Sequence, residues 1–365
     1  MELLKNWFHR TFNDPQVAAF TLVALVVVAG ILLFGDALAP VIAAVVIAYL
    51  LEGLVRGLER RKVPRMLAVA GVFILFAVFL ISVLFLLVPV LYRQTLQLAD
   101  ELPAILMQGQ AVLLQLPEQY PQFFSEQQVR ELLNTVRREV IDWFQRVAAT
   151  FTLQSVVVLI TLSIYVILVP FLVFFFIKDK ERILRWISER MPRHRALASE
   201  IWTEIEAQIG NYVRGKFIEI LIVAAVTYVT FRLLGLDFAL LLAVATGLSV
   251  IIPYIGAFVM TLPVALIAYF QFGLSAEFAY VLIAYTVIQI LDGNVLVPIL
   301  FSEVVNLHPV AIIVAILVFG SIWGFWGIFF AIPLATVIQA VINGWMRRSK
   351  DNGEAAPEEE EEAAA

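Results

Sequence analysis

The segment from Gln289 to Pro333 constrains this chain more than any other part of it. It is almost entirely apolar, yet it contains Asp292 and other polar residues, and prolines and glycines interrupt it. The neighbouring segments are equally apolar, and a water-soluble core could not bury them all. In a bilayer, a break in a helix persists only where protein or a water-filled cavity satisfies the freed backbone groups. Polar residues at membrane depth usually mark a pathway, so this segment predicts a transport site.

The composition predicts an all-α, polytopic membrane protein. Of 365 residues, 62% are hydrophobic and 15% are charged, and the mean hydropathy is +0.92; a soluble domain of this length does not need such values. The formal net charge of −5 is misleading, because seven of the 30 acidic residues follow Lys350. The tail at 346–365 is therefore expected to be a solvated, disordered end.

Several classes of chemistry are excluded. The chain has no cysteine, so disulfides, thiolate metal sites and cysteine catalysis are ruled out. It lacks HExxH, GxSxG and Walker A motifs in a suitable context, and its three histidines are scattered. No basic stripe with interleaved aromatics indicates nucleic-acid binding. We therefore expect neither an enzyme nor a cofactor, and any active transport would be secondary.

Hydropathy divides the chain into four parts. Membrane helices are expected in 1–91, an extramembrane helical insertion in 92–152, and a membrane transport core in 153–345, ahead of the tail. Apolar residues recur at helical spacing inside the insertion. Two interpretations of it stay open: helices packed on one another or on the membrane surface, or a domain that captures substrate.

Charge predicts the orientation. Basic residues concentrate in 52–65 and in the loop 178–219, so both should face the cytoplasm. The N- and C-termini would then be cytoplasmic and the insertion external.

Two long apolar segments are interrupted in a similar way. The segment 239–270 is broken at Pro253–Gly256, and the segment 309–343 is broken around GSIWGFWG. Proline cannot donate a helical hydrogen bond and clashes with the preceding turn. Each segment could be a kinked span or a re-entrant hairpin. Paired, interrupted segments are the best sequence-level indication of a transporter site, and we expect Gly256→Ala and Gly327→Ala to slow transport with little loss of folded protein.

Four stretches together are specific: IGNYVRGKFIE, GLSVIIPYIGAFV, ILDGNVLVPILFSEVVNLHPVAII and VFGSIWGFWGIFFAIPLATVI. In them the chain resembles the AI-2E family, the autoinducer-2 exporters and permease-like relatives. The resemblance implies about eight membrane segments, a soluble insertion after the third, and a homo-oligomer, with a pentamer expected. It also implies a multi-pass protein of the bacterial inner membrane and a role in quorum sensing.

Asp292 is the hardest polar residue to explain structurally, because an acid at the membrane midplane costs about 2.5–3.5 kcal/mol on insertion scales. It either pairs structurally, with Gln289, Asn294 or a base such as Arg232, or it forms a substrate or proton site. His308 is expected to start a helix or line an interface rather than to relay protons. The candidate residues of the substrate path or gate are Pro253, Tyr254, Gly256, Gln289, Asp292, Asn294, Pro298, His308, Gly320, Gly324, Gly327 and Pro333.

Gly293 is expected to permit close backbone approach beside Asp292, and Pro298 to leave the carbonyl of Asn294 without its helical donor. The GxxxG spacing of Gly320 and Gly324 is typical of close helix packing.

Three functions remain open on the sequence. The first is export of a small polar metabolite such as autoinducer-2. The second is monovalent cation (Na⁺)/H⁺ antiport, with Asp292 as the exchanging carboxylate. The third is a membrane scaffold for partner proteins that uses the 92–152 insertion and the acidic tail. The expected partners are the lipid bilayer and a small polar solute or ion.

The orientation can be tested with single cysteines in this cysteine-free chain. Because the insertion is expected to be external, Thr135→Cys should react with an impermeant thiol reagent added outside intact cells. Reaction of Thr135→Cys only from the cytoplasmic side would refute the orientation.

Overall fold

A computed structural model describes residues 15–113, 156–190, 196–301 and 307–362, with isolated positions between 127 and 142. Every regular element in these ranges is a helix, which confirms the all-α fold class. The elements are α1 (Pro15–Arg60), α2 (Arg65–Ser82), the π-helical turn π1 (Val83–Leu87), α3 (Val88–Leu113), α4 (Val156–Lys178), α5 (Lys180–Arg190), α6 (Ala196–Leu233), α7 (Ala239–Ser249), α8 (Ile255–Phe272), α9 (Ala276–Leu291), the π-helical turn π2 (Asp292–Leu296), α10 (Val297–Phe301) and α11 (Pro309–Glu362).

Five helical stretches within the described ranges are long and apolar enough to cross a membrane. Two shorter apolar helices, Ser163–Lys178 and Ala239–Ser249, accompany them. The protein is therefore a multi-pass membrane protein, while the total of about eight segments stays a prediction. The five stretches are Ala37–Arg60, Arg65–Ile105, Ile255–Phe272, Ala276–Phe301 and Pro309–Gln339.

The segments that the sequence places outside the membrane contain helices wherever the structure describes them. Most of the insertion at 92–152 lies outside the described residues, and its first part continues as α3 to Leu113. The loop expected at 178–219 contains α5 and the first half of α6. The backbone of α11 is helical to Glu362, while the expected disorder of the tail at 346–365 stays a prediction. Glutamate and alanine are good helix formers, so a helix that is already nucleated can extend through them.

The chain divides into two compact units. The first unit comprises Met1–Leu50, Phe175–Gly215 and Leu300–Ala365, and the second comprises Leu51–Phe174 and Lys216–Ile299. Each unit is described separately below.

The second unit has an apolar core built from α3, α6, α7, α8 and α9. Tyr285 of α9 is almost fully buried in this core, and its hydroxyl donates to the carbonyl of Ala257 at 2.8 Å. The side-chain oxygen of Gln94 accepts from the amide of Leu241 at 2.9 Å. That amide lies in the first turn of α7, where backbone donors have no partner inside the helix. The core residues are Leu98, Ile105, Phe231, Leu236, Ala239, Leu242, Val264, Ile267, Ala268, Val281 and Tyr285.

Both π-helical turns precede a proline at the same spacing. In π1 the amide of Val88 donates to the carbonyl of Val83, just before Pro89. In π2 the amide of Val297 donates to the carbonyl of Asp292, just before Pro298. A proline ring clashes with the carbonyl four residues earlier, and the wider π turn relieves that clash without ending the helix.

The segment 239–270 is a helical hairpin and not one kinked helix. Tyr254, between α7 and α8, has a φ of 63°. A Cβ atom on Gly256 would collide with the carbonyl oxygen of Ser249, whereas residues seven apart in one straight helix are about 10 Å apart. The chain therefore turns back on itself. With 11 residues, α7 is about 16 Å long and too short for a hydrocarbon core of roughly 30 Å. We call Ala239–Phe272 the first hairpin.

The second interrupted segment folds back in the same way. Gly324 has a φ of 57° and a ψ of −133°, which end the helical path. A Cβ atom on Gly327 would collide with the carbonyl oxygen of Phe319, and one on Gly320 would lie 2.9 Å from Cγ1 of Ile328. Gly320 thus provides the expected close packing, but Gly324 forms the turn itself. We call 309–339 the second hairpin.

The contacts weigh against the expectation that Gly256→Ala and Gly327→Ala cost little folded protein, since each added methyl meets a backbone carbonyl rather than a flexible side chain. We now expect both variants to lower the thermal unfolding temperature of the detergent-solubilised protein. Gly71→Ala is the matched control, because its Cβ atom meets nothing within 4 Å. Unfolding temperatures within 1–2 °C of the parent's for both hairpin variants would contradict the hairpin contacts.

Candidate functional site

A buried ion pair lies near the middle of α6. Nζ of Lys216 is 2.6 Å from Oε2 of Glu219, and the two residues are only 3% and 2% exposed. Residues three apart lie on the same face of a helix, so the pair can form without distortion. Charged groups in such surroundings are retained only when they are paired, and the removal of one partner is strongly destabilising.

Lys216 also joins α6 to the tip of the first hairpin. Its ammonium group donates to the carbonyl of Val250 at 3.0 Å, and Val250 is the C-cap of α7. The last carbonyls of a helix lack backbone donors and carry partial negative charge, so a cation stabilises them. Lys216 therefore caps α7, whose last residue, Ser249, lies four residues before Pro253.

Gly247 allows Lys216 of α6 to reach the end of α7. A Cβ atom at Gly247 of α7 would lie 2.7 Å from Cβ of Ala224 and 2.8 Å from the carbonyl oxygen of Ile220, both on α6. The two helices are therefore close enough for a lysine side chain on one to reach the end of the other.

Asp292 and Gln289 complete the site from the C-terminal end of α9. Oδ1 of Asp292 and Nε2 of Gln289 are buried, and neither has a hydrogen-bond partner among the described residues. Asp292 interacts electrostatically with both Lys216 and Glu219. We call Lys216, Glu219, Gln289 and Asp292 the polar cluster.

The π turn sets the register of this end of α9. Asp292 is the first residue of π2, and its carbonyl accepts the wide-turn hydrogen bond that the proline induces. Such turns occur frequently at functional sites, because they displace side chains from the ordinary helical positions. In the described part of the chain, no group of three or more His, Cys, Asp or Glu side chains is placed to hold a metal ion.

The other predicted residues of the second unit lie apart from this cluster. Nδ2 of Asn294 donates to the carbonyl of Ile290 at 2.9 Å on its own helix. Tyr254 is 64% exposed at the hairpin tip, and Pro298 is also exposed. Pro253 is half-buried, and Gly256 is the contact point between the two hairpin arms.

Two details of the sequence interpretation are wrong. The base near Asp292 is Lys216 and not Arg232, whose side chain is exposed. A Cβ atom on Gly293 would meet nothing within 4 Å, so this glycine does not permit a close backbone approach.

The remaining candidates belong to the first unit. Nδ1 of His308 accepts from the amide of Val310 at 3.2 Å, so His308 caps the start of α11, in agreement with a helix-initiating role. Gly320, Gly324 and Gly327 form the second hairpin, and Pro333 is buried in its second arm. Glu303 and Asn306 lie outside the described residues.

Aromatic rings fill the tip of the second hairpin. Trp323 stacks on Phe330 with ring centroids 6.3 Å apart, and Trp326 stacks on the same ring at 6.1 Å. Tyr212 of α6 meets the ring of Phe329 edge-on at 6.3 Å. Aromatic pairs of this kind hold a rigid, mainly apolar surface. This tip is therefore different in character from the polar cluster.

Sequence reasoning missed Lys216 and Glu219. Both fall in the stretch IGNYVRGKFIE, but Lys216 was counted among the basic residues of a cytoplasmic loop. A usable signal was present, because a Lys and a Glu three apart stand at the start of the apolar run 217–234. Because α6 runs without a break from Ala196 to Leu233, Lys216 and Glu219 lie on the same face of one helix, and both are buried there.

A buried polar cluster beside a helical hairpin, in a protein with several helices long and apolar enough to cross a membrane, is typical of a membrane transport protein. Residues 20–347 match the family model described as AI-2E family transporter, so the chain belongs to the AI-2E transporter family.

Named relatives point to the same class. The chain is 41% identical over 345 residues to "Putative permease PerM" of Escherichia coli K12, covering 94% of this chain and 98% of that protein. It is 26% identical over 307 residues to "Putative transport protein YueF" of Bacillus subtilis, covering 82% of each chain. It is also 26% identical over 325 residues to "Putative transport protein YrrI" of the same organism, covering 84% and 86% of the two chains.

The buried ion pair can be tested by a double-substitution cycle. Lys216→Met leaves Glu219 buried without its lysine, so we expect a loss of roughly 3–5 kcal/mol in the free energy of unfolding. Adding Glu219→Gln should recover more than half of that loss, because the uncompensated charge is then removed. Unfolding in denaturant of the solubilised protein measures both values, and equal losses for the single and double variants would contradict the pairing.

Proposed function

We propose that the protein is a secondary transporter that exports a small polar solute, such as autoinducer-2, across the bacterial inner membrane. The observation that carries this proposal is the polar cluster, in which a buried acceptor and a buried donor have no partner among the described residues. Buried polar atoms normally find partners, and exceptions call for an explanation such as an absent ligand.

Oδ1 of Asp292 can accept a hydrogen bond and Nε2 of Gln289 can donate one, which favours a hydroxylated solute. A hydroxyl group can donate one hydrogen bond and accept two. A single hydroxyl could therefore donate to Oδ1 of Asp292 and accept from Nε2 of Gln289 at the same time. Both groups project from one turn of α9, three residues apart, so they are placed on the same side of the helix.

The charge balance argues for an uncharged solute over an anion. With all groups ionised, the cluster holds two carboxylates and one ammonium, which leaves one negative charge in excess. An anion at this position would be repelled by that charge, and the repulsion would be strong where water is scarce. A solute rich in hydroxyl groups avoids this repulsion and supplies the donors that the carboxylates need.

The two hairpins support movement as well as binding. Discontinuous helices near substrate sites are common in secondary transporters, where their ends provide unpaired backbone groups and points of bending. Each hairpin here turns at a residue of positive φ, Tyr254 in the first and Gly324 in the second. We include cytoplasmic termini and a homo-oligomer in the proposal, as the resemblance to the family implies.

Asp292→Asn separates transport of a neutral solute from cation exchange. Asparagine keeps the size and one acceptor oxygen but removes the charge, so export of autoinducer-2 should continue with a KM raised about tenfold, the effect of weakening one hydrogen bond to a charged group. The measurement is flux in proteoliposomes with a panel of a polyol, a sugar, a carboxylate and autoinducer-2, with and without a proton gradient. Asp237→Asn, an exposed position, is the control.

Three outcomes would contradict parts of the proposal. Sodium-driven proton movement that disappears in Asp292→Asn would favour the cation/proton antiporter, which stays a prediction of the sequence. The absence of any flux in the parent protein would favour the scaffold. Unchanged flux in Asp292→Asn would show that Asp292 is structural.

A further inference from the structure

Lys216 contacts both Glu219 and the carbonyl of Val250, and the proposed function assigns no role to this pair of contacts. Its ammonium group is shared between the carboxylate of Glu219 at 2.6 Å and the carbonyl of Val250 at 3.0 Å. The first contact is internal to α6, and the second is to the C-cap of α7. A single buried cation thus connects the acidic groups of the cluster to the end of α7, the short arm of the first hairpin.

Val250 and Ile251, at the start of the tip, are only 6% and 7% exposed, so apolar packing also holds this turn. After Val250 the chain makes only short turns, with the amide of Ile251 donating to the carbonyl of Leu248 and the amide of Ile252 donating to that of Ser249. Tyr254 at the end of the turn is 64% exposed. The hydrogen bond from Lys216 to the carbonyl of Val250 ties this turn to α6.

We propose that Lys216 is a latch, a positioning residue that holds the tip of the first hairpin closed for as long as its ammonium group is retained at the cluster. This rests on the proposed function, because the event that releases the latch is the arrival of a solute at Asp292 and Glu219. A solute hydroxyl that donates to the carboxylate of Glu219 competes with the ammonium group for Oε2, the oxygen that Lys216 contacts. As Lys216 shifts, the carbonyl of Val250 loses its partner and the end of α7 is freed to move.

The physical basis is the cost of an unsatisfied helix end. In a membrane interior an unpaired carbonyl has no bulk water to bond with, so the tip stays closed while Lys216 caps it and opens to find water once the cap is lost. The same contact explains why the lysine is buried between two helices rather than extended to the surface, as lysines near helix ends usually are.

The test uses Val250→Cys in the full-length, cysteine-free chain. Val250 is 6% exposed, and the substitution keeps the backbone carbonyl that Lys216 contacts. The rate of modification by N-ethylmaleimide in proteoliposomes, without solute, reports how often the tip opens. Adding Lys216→Met and Glu219→Gln together removes the latch and also the charge on Glu219 that Lys216 pairs, so this variant is expected to be more stable than Lys216→Met alone.

The expected result is a rise in the modification rate of about tenfold or more, since a hydrogen bond to a charged group is generally worth at least that factor in an equilibrium. Asp237→Asn, an exposed position outside the polar cluster, is the control, and its rate should stay within about twofold of the parent's. Autoinducer-2 should raise the rate in the parent and have no further effect in the double variant.

The latch and the proposed function fail in different ways. Equal modification rates in the parent and in the Lys216→Met/Glu219→Gln variant would overturn the latch, even if autoinducer-2 is transported. A rate that rises in the double variant, in a protein that transports nothing in the panel, would support the latch and overturn the proposed function. A parent rate that autoinducer-2 leaves unchanged, while it is transported, would overturn release by solute.

Discussion

The fold depends on one requirement, which is that every backbone polar group within a membrane has to find a partner. A continuous helix meets this requirement by itself, but this chain interrupts its helices repeatedly. At Pro89 and Pro298 the helix widens into a π turn and carries on. At the end of α7 it stops, and the ammonium group of Lys216 takes the place of the missing backbone donor. Because α7 stops there, the charge of Lys216 is buried at its end, and the carboxylate of Glu219 neutralises that buried charge.

The glycines make these breaks compatible with close packing. Gly256 and Gly327 each lie where a side chain would collide with the backbone of the opposite hairpin arm, and Gly247 lets α7 approach α6. The two hairpins share this construction but differ at their tips. The first has a polar partner in Lys216, whereas the second is surrounded by aromatic rings such as Trp326 and Phe330. A polar site and a rigid apolar surface are both useful to a transporter, and they arise here from similar sequence patterns.

Much of this was predictable from the sequence, and the misses have physical causes. Apolar composition and helical spacing predicted the all-α membrane fold, and the breaks at 253–256 and 320–327 were located correctly. The sequence did not decide whether the two breaks are kinks or hairpins. Either choice, made for both segments, leaves the C-terminus on the cytoplasmic side, so the positions of the charges do not separate the two. Asp292 was identified because an acid stands out in an apolar run. Lys216 was missed because it stands at the edge of such a run, where positive charge is ordinarily assigned to the cytoplasmic interface.

The central claim is that solute reaches the polar cluster through water, and the thiol reactivity of Gln289→Cys tests it most directly. Ile290→Cys, one residue further along the same helix, is the reference, because Ile290 is 54% exposed on the outer surface of the chain. The account predicts that a water-soluble, charged thiol reagent modifies position 289 faster than position 290, and that autoinducer-2 slows the reaction at 289 only. Modification of 290 but not of 289, or equal rates unaffected by autoinducer-2, would contradict a solute pathway at the cluster.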